Sequence, residues 1–294
     1  MPDGYHLPVS VWRPDAAPRA IIIALHGFND YRNAFDGVGR YFAAQGVTTY
    51  AYDQRGFGET AQRGLWPGSD TLQTDAAAML RLVCREHPGL PVYLLGESMG
   101  GAVIMSLLQE PPPACLAGVI LVAPAVWGWQ TMPLLQQAAL WFAVHTFPGQ
   151  TLTGEGLDIM ASDNIEMLRA LGRDPLVIKE TRIDTIFGLT NLMEAAFLAG
   201  VPAHPRVLLL YGEHDEIIPV DAVCAVLDNG PGPDGNGWRM ALYPDGYHML
   251  TRDLQAETVL GDVMAWIAGQ AGELPSGLEV RQAAARLQRF CKSL

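Results

Sequence analysis

Short apolar runs alternate with longer stretches of helical periodicity towards both ends of the chain. Residues 19–25, for example, are mostly β-branched and apolar, which is typical of a strand buried on both faces of a parallel sheet. Strands are predicted in this way at residues 7–12, 19–25, 47–52, 92–95, 118–122, 206–211 and 238–243. Helices are predicted at residues 33–45, 70–87, directly after Ser98, at 220–227, after Thr251 and at 279–291. The alternation predicts an α/β fold with a mostly parallel sheet flanked by helices.

The alternation stops between Pro124 and about Ala199. This stretch has helical patterns rich in Trp, Leu and Met, and no clear strand. Ligands of open α/β sheets bind beyond the carboxyl ends of the strands, so an inserted helical layer there would form a lid. We therefore expect an α/β core from residues 1–124 and 200–294, and a helical lid at residues 125–199, inserted after the sixth strand.

The composition is that of a globular, acidic chain. Of the 294 residues, 49% are hydrophobic and 17% are charged, which suits a large buried core. The formal net charge of −12 argues against nucleic acid or anionic lipid headgroups as main partners, because both are bound by basic patches. Neutral lipids and esters remain open as ligands.

Four cysteines lie far apart in the sequence and form no Cys-x-x-Cys pair: Cys84, Cys115, Cys224 and Cys291. Neither a zinc site nor a disulfide framework is therefore expected. Cys84 and Cys224 fall within apolar helical patterns, and both are predicted to be buried thiols.

The sequence gives little indication of location. No stretch is long and apolar enough to span a membrane, and no basic-then-apolar signal peptide opens the chain. The default expectation is a soluble cytoplasmic protein, with the compartment otherwise unknown. The chain begins abruptly at an Asp3-Gly4 turn, as it would if an upstream segment carrying an export signal had been trimmed.

Residues 92–105 form an apolar strand, a tight turn and an apolar helix in succession. At the turn, Gly96-Glu97-Ser98-Met99-Gly100 is a Gly-x-Ser-x-Gly pentapeptide. A serine on a sharp strand-to-helix corner has strained backbone angles, and the flanking glycines remove collisions that larger side chains would cause. Ser98 is the predicted nucleophile, and the alternative is a glycine-rich loop that happens to contain a serine.

A serine nucleophile needs an adjacent base that is itself oriented by an acid. With a nucleophile on such a corner, the acid and then the histidine follow it along the chain. His248, in the loop after the last predicted core strand, is the predicted base. Asp215, which follows the strand at 206–211, is the predicted acid. The competing acids are Glu213, Asp221 and Asp245.

Acyl transfer also needs hydrogen-bond donors for the oxyanion of the tetrahedral intermediate. The expected donors are two backbone amides: that of Met99, directly after the nucleophile, and that of Phe28 in the His26-Gly27-Phe28 loop. His26 is expected to pack and form hydrogen bonds and not to carry a proton.

Five segments together resemble the α/β-hydrolase fold, and within it the monoacylglycerol lipase and lysophospholipase group of serine hydrolases. They are His26-Gly27-Phe28, Asp53-Gln54-Arg55-Gly56-Phe57-Gly58, Gly96-Glu97-Ser98-Met99-Gly100-Gly101, Gly212-Glu213-His214-Asp215 and Tyr243-Pro244-Asp245-Gly246-Tyr247-His248. The resemblance implies ester hydrolysis through a Ser98 acyl-enzyme, with no cofactor and no metal. Glu97 and Phe57 depart from the family, in which histidine is common at both positions.

The predicted substrate is a monoacylglycerol-like or other small ester with an apolar acyl chain. The lid is expected to supply an apolar wall for that chain. The candidate contacts are Trp127, Trp129, Trp141, Met160, Ile186 and Met193. The alternative for these side chains is core packing, which helical spacing alone usually indicates. Peripheral contact of the lid with lipid is a further expectation.

Other functions would use the same residues. A lysophospholipase, a thioesterase, an acyltransferase and a peptidase are the alternatives among enzymes. Epoxide and haloalkane hydrolases are disfavoured, because those families have an aspartate where this chain has Ser98. A binding protein that keeps the fold without the chemistry is the alternative outside enzymes, and the presence of all three triad candidates argues against it.

Overall fold

The computed structural model describes residues 1–109, 112–154, 156, 158–203, 205–229, 238–269, 272–280 and 285–292. Its strands are β1 (Val9–Trp12), β2 (Ala20–Leu25), β3 (Val47–Tyr52), β4 (Val92–Glu97), β5 (Leu116–Val122), β6 (Thr151–Thr153), β7 (Glu180–Arg182), β8 (Arg206–Gly212), β9 (Trp238–Tyr243) and β10 (Glu279–Val280). Its helices are α1 (Asp36–Ala44), α2 (Ser69–Glu86), α3 (Met99–Leu107), α4 (Leu134–Thr146), α5 (Ile165–Arg173), α6 (Ile183–Ala199), α7 (Val220–Asn229), α8 (Ala256–Ile267) and α9 (Ala285–Lys292). Over these residues, we find no helix long and apolar enough to cross a membrane.

The described strands form one large sheet in the order β1-β3-β2-β4-β5-β8-β9-β10, and β6 and β7 form a separate ribbon. The six central strands of the large sheet are parallel, and β1 and β10 pair antiparallel at its two edges. The predicted mostly parallel sheet flanked by helices is confirmed.

Successive side chains of β2 point into different hydrophobic clusters on the two faces of the sheet. Ile21 and Ile23 pack with residues of α2, α3, α6 and α7, whereas Ile22 and Ala24 pack with residues of α1 and α8. Because both faces are covered, the strand needs apolar side chains at every position. This requirement explains the continuous apolar run in the sequence.

The predicted core strands are all present, with ends that differ from the prediction by at most two residues. The helix predicted at 279–291 is wrong in its first part. Glu279–Val280 forms β10, which pairs with β9, and helix α9 spans Ala285–Lys292; residues 281–284 lie outside the described part of the chain. A two-residue strand is too short to give a period, and it forms here because the open edge of β9 supplies backbone partners.

Residues 125–199, called the inserted segment below, connect β5 to its parallel neighbour β8. The segment follows the fifth strand of the chain and not the sixth, so that part of the prediction is wrong. It contains α4, α5, α6 and also the antiparallel β6–β7 ribbon, which the sequence pattern missed because each strand has only three residues. Helix α6 packs on α3 and contributes Leu192 and Ala196 to the core.

The four cysteines form two disulfides, so the prediction of buried thiols is wrong. Cys84 on α2 bonds to Cys115 just before β5, and Cys224 on α7 bonds to Cys291 on α9. The partners are 31 and 67 positions apart in the sequence. Such pairs are brought together by the packing of separate elements, and the spacing of cysteines along the chain does not reveal them.

Candidate active site

Ser98 occupies a strained corner between β4 and α3. Its backbone angles are φ +52° and ψ −113°, outside the regions that L-residues usually adopt. The two flanking glycines have no space for a side chain. A Cβ atom on Gly100 would lie 2.1 Å from the Leu25 carbonyl oxygen, and one on Gly96 would lie 2.5 Å from the Gly101 amide nitrogen. The crowding that motivates the Gly-x-Ser-x-Gly pattern is therefore present in this fold.

His248 and Asp215 form a buried pair at the carboxyl ends of the neighbouring strands β9 and β8. His248 Nδ1 lies 2.8 Å from Asp215 Oδ2, and the two side chains are 5% and 0% exposed. The other carboxylate oxygen of Asp215 accepts hydrogen bonds from the amides of Ile217 and Ile218, at 2.8 and 2.9 Å. With Nδ1–H donating to Asp215, the second ring nitrogen of His248 carries a lone pair and can act as a base.

The protonation of His248 is set by opposing effects. Burial disfavours the charged ring, but the Asp215 charge, its hydrogen bond and the charge of Glu97 outweigh burial and the opposing Arg252 charge. The pKa of His248 is therefore raised above its usual value.

The competing acids lie in other surroundings. Glu213 binds the Arg286 guanidinium at 2.7 Å, Asp221 lies in the first turn of α7, and Asp245 is exposed. Of the four candidates, Asp215 is the one whose carboxylate contacts His248.

The loop after β2 lies against the nucleophile. A Cβ atom on Gly27 would lie 3.4 Å from Ser98 Cβ, so the backbone of Gly27 passes directly beside Ser98. The next residue, Phe28, packs edge-on against Phe57 with ring centroids 5.7 Å apart. Met99 is the first residue of α3, where amides have no carbonyl partner within the helix. Both predicted oxyanion donors therefore belong to segments that adjoin Ser98.

His26 supports this loop from below. Its Nε2 accepts a hydrogen bond from the Gln54 amide at 2.9 Å, so Nδ1 carries the hydrogen and donates to the Gly27 carbonyl oxygen at 2.8 Å. Burial lowers the pKa of His26, which favours this neutral form. The packing and hydrogen-bonding role predicted for His26 is the one its contacts support.

A cavity of about 340 Å³ joins the polar residues to an apolar wall. Ser98, His248 and Phe28 line it together. The apolar side chains around them are Ala125, Trp127, Met132, Leu140, Ile186, Leu189, Met193, Ile217, Ile218 and Met249. Most of these belong to the inserted segment, which therefore encloses the space in front of Ser98.

Three of the six apolar contacts predicted in the lid line this cavity: Trp127, Ile186 and Met193. The other three do not. Trp129 packs against Phe187 and donates a hydrogen bond to Asn191, Trp141 stacks on His145 and is 57% exposed, and Met160 is 43% exposed. Sequence spacing alone could not separate the two groups, since it does not fix how the helices are rotated against the core.

Sequence reasoning missed Leu189, Ile217 and Ile218 on the apolar wall. Met132 and Leu140 belong to the pattern rich in Trp, Leu and Met at the start of the inserted segment, but they were not among the six candidates. Leu189 could have been found, because it lies three residues after Ile186 and four before Met193, on the same face of α6. The two isoleucines follow Asp215 directly, and only the tertiary structure turns that loop toward the cavity. A polar part of the wall was also missed, formed by Asp30, Glu97 and Arg252.

The amino-acid sequence is similar to those of known hydrolases. The family model Hydrolase_4, described as serine aminopeptidase S33, matches residues 16–255. The chain belongs to this family. It is 26% identical over 271 residues to the monoacylglycerol lipase of Mycolicibacterium smegmatis, covering 90% of this chain and 93% of that one. It is 24% identical over 286 residues to the monoglyceride lipase of Mus musculus, covering 94% and 91%.

Solved structures share the fold. The monoacylglycerol lipase of Paleococcus ferrophilus superposes with a TM-score of 0.74 at 20% identity, covering 90% of this chain and 99% of that one. A soluble variant of monoglyceride lipase from Saccharomyces cerevisiae gives 0.76 at 19% identity, covering 92% and 94%. The fold is the α/β-hydrolase fold. Together with the family and its relatives, it makes the chain a carboxylic ester hydrolase, as the sequence predicted.

Proposed function

We propose that this enzyme hydrolyses esters with an apolar acyl chain, monoacylglycerols among them, using Ser98, His248 and Asp215 as its triad. The observation that carries the proposal is the single cavity in which Ser98 and the Asp215-bound His248 adjoin a continuous apolar wall. The names of the bacterial and mouse relatives, both lipases of monoacylated glycerol, support the substrate class.

In the acylation step, His248 Nε2 takes the hydroxyl proton of Ser98 while Ser98 Oγ forms a bond to the ester carbonyl carbon. The carbonyl oxygen becomes an oxyanion, and the amides of Phe28 and Met99 are the proposed donors to it. One such donor is worth about 3–4 kcal/mol of transition-state stabilisation. When the bond to the alcohol breaks, His248 gives its proton to the leaving oxygen, and the acyl group remains on Ser98.

Deacylation repeats these roles with water. His248 takes a proton from the water as its oxygen bonds to the acyl carbon. The bond to Ser98 Oγ then breaks, and His248 returns the proton to Ser98. Asp215 holds the ring orientation throughout and stabilises the transient imidazolium.

The inserted segment is proposed to act as the lid and to bind the acyl chain. Trp127, Ile186, Leu189 and Met193 contribute a surface that offers shape and apolar contact without polar groups to be desolvated. These contacts favour a lipid acyl chain over a peptide, whose amides would need hydrogen-bond partners in the cavity.

Helix α4 is proposed to contact lipid aggregates. It contains no Asp, Glu, Lys or Arg, and Leu134, Leu135, Trp141 and Phe142 are all more than half exposed. Leu140 of the same helix lines the cavity, so this apolar surface continues to the active site. The net charge of −12 favours uncharged or zwitterionic lipid over an anionic surface.

The two disulfides support an oxidising compartment over the cytoplasmic expectation, since structural disulfides persist outside the reducing cytosol. Alkylation of thiols in intact producing cells, followed by mass spectrometry, tests this. Four blocked thiols in the native host would contradict the proposal, and unmodified disulfide-linked cysteines would support it.

The proposal is tested by hydrolysis of p-nitrophenyl esters from acetate to palmitate, with 1-monoacylglycerols in parallel. Wild-type protein is compared with Ser98→Ala, which should remain folded and lose turnover at least about a thousandfold. The control is Ser106→Ala. Ser106 lies near the end of α3, and its hydroxyl donates a hydrogen bond to the Ala102 carbonyl within the same helix.

Turnover that depends on Ser98 and peaks at medium or long acyl chains supports the acyl site. A steep rise in monoacylglycerol turnover where the lipid begins to aggregate supports the role of α4. A peak at acetate would contradict the long apolar site, flat kinetics through aggregation would contradict lipid contact, and turnover retained in Ser98→Ala would overturn the triad.

A further inference from the structure

One arginine lies between the three segments that carry the proposed chemistry. Arg252 follows His248 by four residues in the loop after β9. Its Nη1 lies 2.8 Å from Asp30 Oδ2, and its Nη2 lies 2.9 Å from Glu97 Oε1. Asp30 follows the oxyanion residue Phe28 by two positions, and Glu97 directly precedes Ser98. We call these three side chains the ion triplet.

The ion triplet is buried and belongs to the wall of the active-site cavity. The side chains of Arg252, Asp30 and Glu97 are 11%, 8% and 2% exposed, and all three line the cavity beside Ser98. Its contacts join positions 222 and 155 residues apart in the sequence. They are therefore links between separate loops and do not stabilise any one element.

Further hydrogen bonds hold the members of the ion triplet. Asp30 Oδ1 accepts from the Tyr31 amide at 2.8 Å, and the second oxygen of Glu97 accepts from the Thr251 hydroxyl at 3.3 Å. The Arg252 carbonyl accepts from Asn164 of the inserted segment at 3.0 Å. Among the nitrogen atoms of Arg252, only Nε has no hydrogen-bond partner within the described part of the chain.

Burying three charged side chains is not expected to add much to the free energy of unfolding. Desolvation of a buried ion pair commonly cancels its attraction, and apolar replacements of similar volume are often as stable or more so. What the ion triplet does supply is fixed geometry, because a guanidinium can bind two carboxylates in defined directions. The segments it joins are those that carry Phe28, Ser98 and His248, the residues of the proposed acyl transfer.

Given the proposed function, on which this inference rests, we propose that Arg252 is a positioning residue. Its bond to Asp30 holds the loop that carries Phe28, and its bond to Glu97 holds the Ser98 corner. Both are thereby kept in a fixed position relative to the loop that carries His248. A misplacement of about 1 Å at a reacting centre can cost on the order of a hundredfold in rate. Loss of Arg252 should therefore act on kcat more than on KM.

The test compares Arg252→Met with a matched control, Arg55→Met. Arg55 is 14% exposed, binds Asp75 through Nε and Nη2 at 2.8 Å each, and also binds Asp3. It thus resembles Arg252 in side-chain exposure and in binding two carboxylates, although its partner Asp3 is 54% exposed, and it does not line the cavity. Both variants are assayed for unfolding midpoint, kcat and KM on the best ester substrate.

We expect Arg252→Met to lower kcat about a hundredfold with less than a threefold change in KM, and Arg55→Met to change stability alone. Arg252→Lys keeps the positive charge and should recover part of the loss. Recovery should be incomplete, because one ammonium group cannot bind both carboxylates as the guanidinium does. If Arg252→Met does not fold, the triple variant Asp30→Asn/Glu97→Gln/Arg252→Met replaces it, since that variant leaves no buried charge of the ion triplet unpaired.

The pH profile gives a readout that a purely structural role would not produce. The charged groups facing His248 are Asp215 after β8, Glu97 at the end of β4 and Arg252 in its own loop. Removing the Arg252 charge should move the acidic limb of kcat/KM to higher pH, and Glu97→Gln should move it to lower pH.

The outcomes distinguish failure of the proposed function from failure of the role of Arg252. Wild-type protein without Ser98-dependent turnover on any ester would overturn the proposed function and this inference with it. With active wild-type protein, a folded Arg252→Met that keeps kcat within threefold and keeps its acidic limb would overturn the role of Arg252 alone. So would a folded triple variant that keeps kcat within threefold; its acidic limb is not a criterion, because the Arg252 and Glu97 changes shift it in opposite directions. A kcat loss equal in Arg252→Met and Arg55→Met would do the same.

Discussion

Opposing physical effects act on the protonation of His248. Its ring is almost fully buried, which by itself would keep it neutral. The Asp215 carboxylate, 2.8 Å from Nδ1, favours the charged ring, and the net result is a raised pKa. The native protein therefore binds a proton at His248 more tightly than the unfolded chain does. The corresponding stabilisation is complete below the unfolded pKa and is lost as pH rises through the folded one.

This shift predicts the pH dependence of the reaction. Only neutral His248 can take the Ser98 proton, so kcat/KM should fall on the acidic side with a midpoint above about 6.5, the value of an unperturbed histidine. Asp215→Asn removes the charge and favours the wrong ring tautomer. It should move that midpoint to lower pH and lower kcat about ten-thousandfold. The measurement is the pH profile of kcat/KM for both proteins.

Asp245→Asn is the matched control, because Asp245 is exposed and lies only three residues before His248. It should leave both the midpoint and kcat unchanged. A wild-type midpoint at or below about 6.5 would contradict the raised pKa.

At the scale of elements, the decisive feature is the close approach of α3 to β2 and β4. The helix can begin directly after Ser98 only because Gly100 allows its first turn to lie against the Leu25 carbonyl oxygen. The corner is therefore a packing requirement between three elements, and the strained serine is its consequence.

Gly100→Ala tests this requirement. The added Cβ would lie 2.1 Å from the Leu25 oxygen, so the helix must shift, and we expect a loss of about 3 kcal/mol in the free energy of unfolding. The control is Gly37→Ala on α1, where the added Cβ meets no atom within 4 Å and alanine is the better helix former. Gly37→Ala should be neutral or stabilising by up to about 1 kcal/mol.

Urea unfolding at constant m-value gives both numbers. Equal stability of Gly100→Ala and wild-type protein would mean that the corner tolerates a shift of α3. In that case the glycine pattern would not be needed for packing.

At the scale of the whole molecule, the two disulfides link elements that are separate in the sequence. Cys84–Cys115 joins α2 to the strand β5, and Cys224–Cys291 joins the C-terminal helix α9 to α7. For loops of 31 and 67 residues, the chain-entropy model gives about 4 kcal/mol each.

Reduction should therefore lower the urea midpoint markedly. We expect Cys84→Ala/Cys115→Ala and Cys224→Ala/Cys291→Ala each to reproduce part of the effect, measured by unfolding with and without reductant. Since none of the four cysteines lines the cavity beside Ser98, kcat of the folded variants should stay near the wild-type value. Identical midpoints of oxidised and reduced protein would contradict a stabilising role.

The whole molecule also explains why the residues of the proposed triad lie at one end of the fold. Ser98, Asp215 and His248 follow β4, β8 and β9, whose carboxyl ends lie along one edge of a parallel sheet. Ser98 and the Asp215–His248 pair, more than a hundred positions apart in the sequence, therefore border one cavity without any local signal that joins them.

The sequence by itself determined the core strands, the Ser98 corner and the candidate acid and base. Strands buried on both faces must be continuously apolar, and a strand-to-helix corner must have glycine where backbones touch. Both requirements act within a few residues and so leave a readable pattern.

Only the tertiary structure decided the disulfide partners, the edge strand β10, the side of each inserted helix that faces the cavity, and the ion triplet around Arg252. Each of these depends on how separate elements pack. The two contacts of Arg252, for example, join positions 155 and 222 residues apart. Local periodicity carries no information on such distances. For that reason Glu97 stands in the sequence as a mere departure from a family pattern, whereas in the fold it is the carboxylate that binds Arg252 beside the nucleophile.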